Sequence, residues 1–143
     1  MLLVRFAHFF GFVLFAAAGF GAWAANRAAQ AEKGDAAAAL DRLQRTFARI
    51  TSWGSAIVVL SGLGAVRVFH HDGPQMMRET WLLVMMVAGL AGAGVAGAAG
   101  AKTRKLLAAP EADRGALRDS LAMLHASFLL LTLLALACGI FRF

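Results

Sequence analysis

Four stretches of this chain are each about twenty residues long and almost free of charge, and no other feature constrains its folding as strongly. Residues 2–25 are uncharged after Arg5 and residues 50–69 are uncharged until Arg67; residues 80–101 and 120–141 carry no charge at all. A hydrocarbon core of about 30 Å is crossed by roughly 20 residues rising about 1.5 Å each. The sequence therefore predicts an all-α, polytopic membrane protein: an antiparallel bundle of four transmembrane helices over about 2–25, 36–69, 80–101 and 111–141. All 143 residues fall into one membrane domain on this reading.

Composition matters here mainly for what it excludes. Hydrophobic residues make up 60% of the chain and charged residues 15%, against about 25% charge in a soluble domain. The single cysteine, Cys138, rules out an internal disulfide framework and a cysteine-based zinc site. No Walker loop, HExxH or GxSxG string occurs, which removes the common soluble enzyme classes.

The connections carry almost all the charge. Residues 26–49 are too long for a plain turn; Asp35 is a candidate N-cap before AAAALDRLQRTFARI, so the second helix is expected to start about three turns outside the bilayer. Residues 70–79 centre on Gly73-Pro74 and read as a short hairpin. The third connection breaks at Pro110, where a helix can restart and extend the fourth span. Ala22-Trp23-Ala24 after an apolar run imitates a signal-peptide cleavage site, but the run is longer than an ordinary h-region.

Orientation follows from the basic residues. Arg5, Arg67, Arg78 and Arg142 share one side, while ten others (Arg27, Lys33, Arg42, Arg45, Arg49, Lys102, Arg104, Lys105, Arg114 and Arg118) share the other. The second side is expected to be cytoplasmic. The chain then lies in the cytoplasmic (inner) membrane, with both termini on the outer or periplasmic side. The net charge of +6 is absorbed by topology, and its interleaving with Glu32, Asp35, Asp41, Glu111, Asp113 and Asp119 argues against nucleic acid as a partner.

Membrane helices associate through small residues. Helical spacing aligns His8, Gly11, Phe12, Phe15, Gly19, Ala22 and Asn26 on the first helix, and Thr51, Gly54, Ser55, Val58, Ser61, Gly62 and Ala65 on the second. On the third, Gly89, Ala93, Gly97 and Ala101 form a small-xxx-small ladder. Such faces serve a compact bundle, room for a flat cofactor between helices, or an interface with a second copy or another membrane subunit. Phe9, Phe10, Ile57, Leu60 and Leu90 are left for lipid or a partner.

Chemistry at membrane depth rests on two histidines, His8 and His125, since an ionisable group there is a functional-site candidate by default. They are candidate cofactor ligands. Separated by roughly 13 Å along the membrane normal, they are poorly placed to hold one haem iron, whose axial nitrogens are about 4 Å apart. His125 is expected beside Thr51, Ser52, Ser55, Asn26 and Trp23, where hydrogen bonding to a hydroxyl would join helices. His8 is expected near His70 and His71, with Asp72, Glu79, Met76, Met77 and Cys138 in reach. His8, His70 and His71 form a candidate metal site whose donors suit copper or zinc. Met85 and Met86 read as flexible core filler, and Trp53 and Trp81 as interfacial anchors.

The segments RFAH, LQRTFARITSWGSAIVVLSGLGAV and LAMLHASFLLLTLLALACGI resemble the CopD and HemJ-type group of small four-helix bacterial membrane proteins. The resemblance implies a haem-, porphyrin- or copper-associated role, with His8 and the outer histidines as the carried-over residues. HemJ-type protoporphyrinogen oxidases pair an early first-helix histidine, matched by His8, with a lysine soon after a third-helix tryptophan. No lysine follows Trp81 through Met85, and Phe15 stands where a tryptophan is expected. These departures speak against the oxidase activity. Two functional expectations remain: a haem- or copper-associated membrane protein, and a non-catalytic accessory subunit of a larger membrane complex.

Overall fold

The computed structural model describes residues 2–69 and 80–140, with side chains over 2–64 and 80–140. It holds four helices: α1 (Leu2–Ala31), α2 (Gly34–Phe69), α3 (Thr80–Ala108) and α4 (Glu111–Ile140). Each is long and apolar enough to cross a membrane, and no strand occurs among the described residues. The chain is an all-α, multi-pass membrane protein. The hairpin expected at 70–79, with His70, His71, Arg78 and Glu79, lies outside the described residues.

The helices form a ring in chain order, α1 against α2, α2 against α3, α3 against α4 and α4 against α1, and the α1–α2 seam is the most extensive. Helices of about 30 residues are about 45 Å long, so roughly 15 Å of each projects beyond the hydrocarbon core. That excess accumulates at the end holding the two short connections. Helical structure continues further there than hydropathy indicates: α1 runs on to Ala31 and α3 to Ala108, so all four helices are extended.

Both turns have local causes. Gly34 has φ of 60°, the left-handed conformation glycine adopts without a Cβ clash, and it reverses the chain into α2. Asp35 falls within the first turn of α2, where its charge favours the helix N-terminus. At the other turn, Pro110 stands just before α4; its carbonyl accepts from the Asp113 amide at 3.1 Å. The Arg114 Nε–H donates to the Ala109 carbonyl at 3.1 Å, satisfying a group the end of α3 leaves open.

Small residues and one aromatic pair build the interior. At Gly54 an added Cβ would lie 2.5 Å from the Phe15 backbone nitrogen and 2.9 Å from the Gly11 carbonyl oxygen, so α1 and α2 meet backbone to backbone. Ile57 packs over Gly11 at this seam and is half-buried, which corrects the expectation that it is left for lipid or a partner. Further along, the rings of Phe15 and Phe128 pack tilted at 59° with centroids 4.6 Å apart, and Phe128 lies directly against Gly19. The outside is apolar too: Leu2, Phe9, Leu60 and Leu130 are at least 69% exposed, as expected where lipid is the solvent. Phe10 and Leu90 also face outward.

The α3 ladder lies off the packing face: Gly97 is exposed, and Gly89, Ala93 and Ala101 are half-buried beside it. Leu82, Ala88, Gly92, Ala96, Ala99 and Thr103 point into the bundle, whereas a Cβ at Gly89, Gly94 or Gly97 would meet nothing. Glycine and alanine fill every position from 89 to 101 except Leu90 and Val95. Spacing therefore supports several rival stripes, and contact with α4 and α2 selects a different one.

Candidate functional site

Two polar assemblies hang on this frame, one at each end, and a small cavity lies between the helices near the first. At the extended end, positions 37, 41, 44, 48 and 51 of α2 share one face by helical spacing, placing Asp41, Gln44 and Thr51 inward; all three are buried. From α1, Asn26 reaches the same layer, fully buried. The Gln44 Nε2–H donates to Asn26 Oδ1 at 3.1 Å, and the Asn26 Nδ2–H donates to the Arg118 carbonyl at 3.0 Å.

Arg118 is the hub of this layer. Its Nε–H donates to Asp41 Oδ1 at 3.1 Å and its Nη2–H to Asp41 Oδ2 at 2.7 Å. This two-pronged ion pair reaches across the ring from α4 to α2. Asp41 is 1% exposed and the Arg118 side chain 13%. Gln30 of α1 donates to Asp119 of α4 at 3.0 Å, and Lys102 of α3 donates to Ser120 of α4. All four helices are thus tied together by side chains at this end. A buried charge stripped of its partner costs about 3–5 kcal/mol, so the layer fixes helix register by penalty as much as by attraction.

His125 lies seven residues beyond Arg118 on α4, about two turns deeper, and is 5% exposed. With Gly19, Ala22, Ala48, Thr51, Ala96, Ala99 and Phe128 it lines a cavity of about 20 Å³, to which every helix contributes. That is room for a single water. Its Nε2 is buried without a hydrogen-bonding partner among the described residues. Of the five neighbours expected for His125, Thr51 shares the cavity, while its hydroxyl donates to the Phe47 carbonyl at 2.9 Å. Ser52 is exposed and bonded to its own helix, and Asn26 is engaged in the Arg118 layer.

His8 marks the other end. Its Nδ1 lies 3.1 Å from Ser61 Oγ and 3.2 Å from the Val58 carbonyl, so the imidazole joins α1 to α2. Gly62 leaves the ring its space, a Cβ there standing 3.4 Å from His8 Cε1. His8 and His125 therefore serve separate places and are not brought together. His70 and His71, the other two members of the expected metal site, lie outside the described residues. Cys138 is a free, half-buried thiol, and among the described residues no group of three or more His, Cys, Asp or Glu side chains is placed to hold a metal ion.

Sequence reasoning passed over the centre of the polar layer. Asp41 and Arg118 counted as connection charges, 77 positions apart; the signal available was that Asp41, Gln44 and Thr51 continue the inward face defined by Gly54 and Val58. Trp53, by contrast, is 72% exposed, in keeping with an interfacial anchor. Comparison with protein-family models, with curated proteins and with solved structures finds no match to this chain.

Proposed function

We propose that this protein is a non-catalytic accessory subunit which packs, through the outer face of α3, against a transmembrane helix of another subunit or of a second copy. The observation that carries this reading is the unused glycine face of α3. Within the bundle, close approach consumes its small residues, as at Gly54, Gly11 and Gly19. On α3, a Cβ at Gly89, Gly94 or Gly97 would meet nothing within 4 Å, and Gly94 and Gly97 are exposed, with Ala93 on the same ladder as Gly89 and Gly97. Glycine weakens a helix interior unless a backbone must come near, and small residues are what membrane-helix interfaces use. The side with the basic connections is cytoplasmic on this reading, and both termini lie outside.

The test is purification from the native membrane in a mild detergent or polymer. The unaltered chain is expected to retain a stoichiometric partner or a second copy, and Gly94→Leu with Gly97→Leu to lose it while the chain stays folded. Retention of the same assembly by that variant would overturn the reading.

A haem- or copper-associated role is the second reading, supported by the unpartnered Nε2 of His125 and by the resemblance to CopD and HemJ-type proteins. Against a porphyrin stands the space beside that nitrogen, about 20 Å³, so a macrocycle would have to spread the helices. An absorption spectrum with metal analysis decides. A Soret band lost in His125→Ala or His8→Ala, or bound copper lost when His70 and His71 are replaced, would establish it.

A further inference from the structure

We infer that Arg42, Arg45 and Arg49 form a binding surface for anionic phospholipid headgroups on the outer face of α2. The three are spaced by three and four residues, which places them within about 60° of one another around the helix, and all are exposed. None makes a hydrogen bond or ion pair among the described residues; the adjacent acid, Asp41, is held by Arg118. They rise over about 10 Å along the axis, somewhat more than one headgroup region of roughly 5–8 Å, so Arg49 is the deepest of the three and Arg42 stands at the outer edge.

The rest of that face fixes their level. Trp53 follows Arg49 by four residues on the same side and is 72% exposed, and Leu60 follows seven residues later at 70%. The face thus passes from cationic through aromatic to aliphatic in the order a monolayer presents phosphate, interface and acyl chain. Tryptophan settles at the interface, which leaves Arg49 about 6 Å further out among the phosphates. A guanidinium offers a planar fork of donors matched to phosphate oxygens. Arg104 and Lys105, exposed on α3, sit above alanine and glycine with no aromatic beneath, and serve as the internal control.

The experiment uses the full chain in nanodiscs of equal parts phosphatidylglycerol and phosphatidylcholine, with co-released lipids counted by native mass spectrometry. A basic side chain near the surface is worth about 1 kcal/mol, or about fivefold in lipid preference. The unaltered chain is expected to retain phosphatidylglycerol preferentially. R42Q/R45Q/R49Q lowers that preference at least about fivefold, each single variant by a smaller step in the same direction, and R104Q/K105Q by less than about twofold. Phosphatidylglycerol retention undiminished in the triple and single variants, or a loss in R104Q/K105Q equal per charge removed, would overturn the assignment.

Discussion

The α1–α2 seam and the outer face of α3 are built from the same small residues and put them to opposite ends. At the seam, Gly54 faces backbone at 2.5 Å and Gly11 faces Ile57 at 2.7 Å; on α3, Gly89, Gly94 and Gly97 face nothing within 4 Å. A glycine-rich helix is therefore no evidence of close packing by itself. What matters is whether the missing side chain is replaced by a neighbour, and each substitution below asks that of one position.

Gly54→Ala gives the largest effect expected. Its methyl group would press on the Phe15 and Gly11 backbones, which move only if the whole seam opens. Overpacking of this kind costs about 1–3 kcal/mol and more where backbone is involved, so a loss near the top of that range is expected. It is measured by denaturant unfolding in mixed micelles, with helicity as the probe. An unchanged midpoint would remove the backbone contact on which the comparison rests.

Gly19→Ala comes next, at about 2 kcal/mol. Here the obstacle is the Phe128 ring, which can shift, but doing so pulls it from Phe15. The aromatic contact is worth about 0.5–1.5 kcal/mol, and the displaced ring adds overpacking elsewhere. Gly19→Ala combined with Phe128→Leu should recover part of the loss, because the smaller side chain frees the space the methyl needs.

How far these distinctions were open to sequence reasoning depended on chemical variety. In α1 and α2, glycine and serine stand among phenylalanine, valine and leucine, and the inward stripes at Gly11, Phe15, Gly19 and at Thr51, Gly54 are recoverable by spacing. In α3, residues 89–101 are nearly uniform, and the ladder at Gly89, Ala93 and Gly97 is one of several equal choices. The polar layer hid for a different reason. Asp41 and Arg118 look solvated because hydropathy places them outside the spans, whereas the helices run on about three turns and enclose them. His8 and His125 stand out as intramembrane groups, yet their surroundings, the Val58 carbonyl and Ser61 for one and a small cavity for the other, are set by tertiary contact.

Gly34 supplies a third use of the residue and a sharper test. Its added Cβ would meet nothing within 4 Å, but its φ is 60°. Gly34→Ala should cost about 1 kcal/mol through the left-handed backbone alone, and Gly34→Asn less, since asparagine tolerates that region. Equal effects from alanine and asparagine would mean that space, and not conformation, governs the turn.

The smallest expected effect is the most discriminating. Gly97→Ala and Gly94→Ala add a methyl group where the chain has no neighbour, so the isolated protein should lose no stability, and any shift is a gain of up to about 1 kcal/mol because alanine is the better helix former. The same substitutions in the intact native assembly place that methyl in a helix–helix contact, if the accessory reading holds, and should weaken it measurably. No loss in the isolated chain together with loss in the assembly locates the partner on this face. Destabilisation of the isolated chain would instead show that α3 turns its ladder inward, and the contrast between the two glycine faces would disappear.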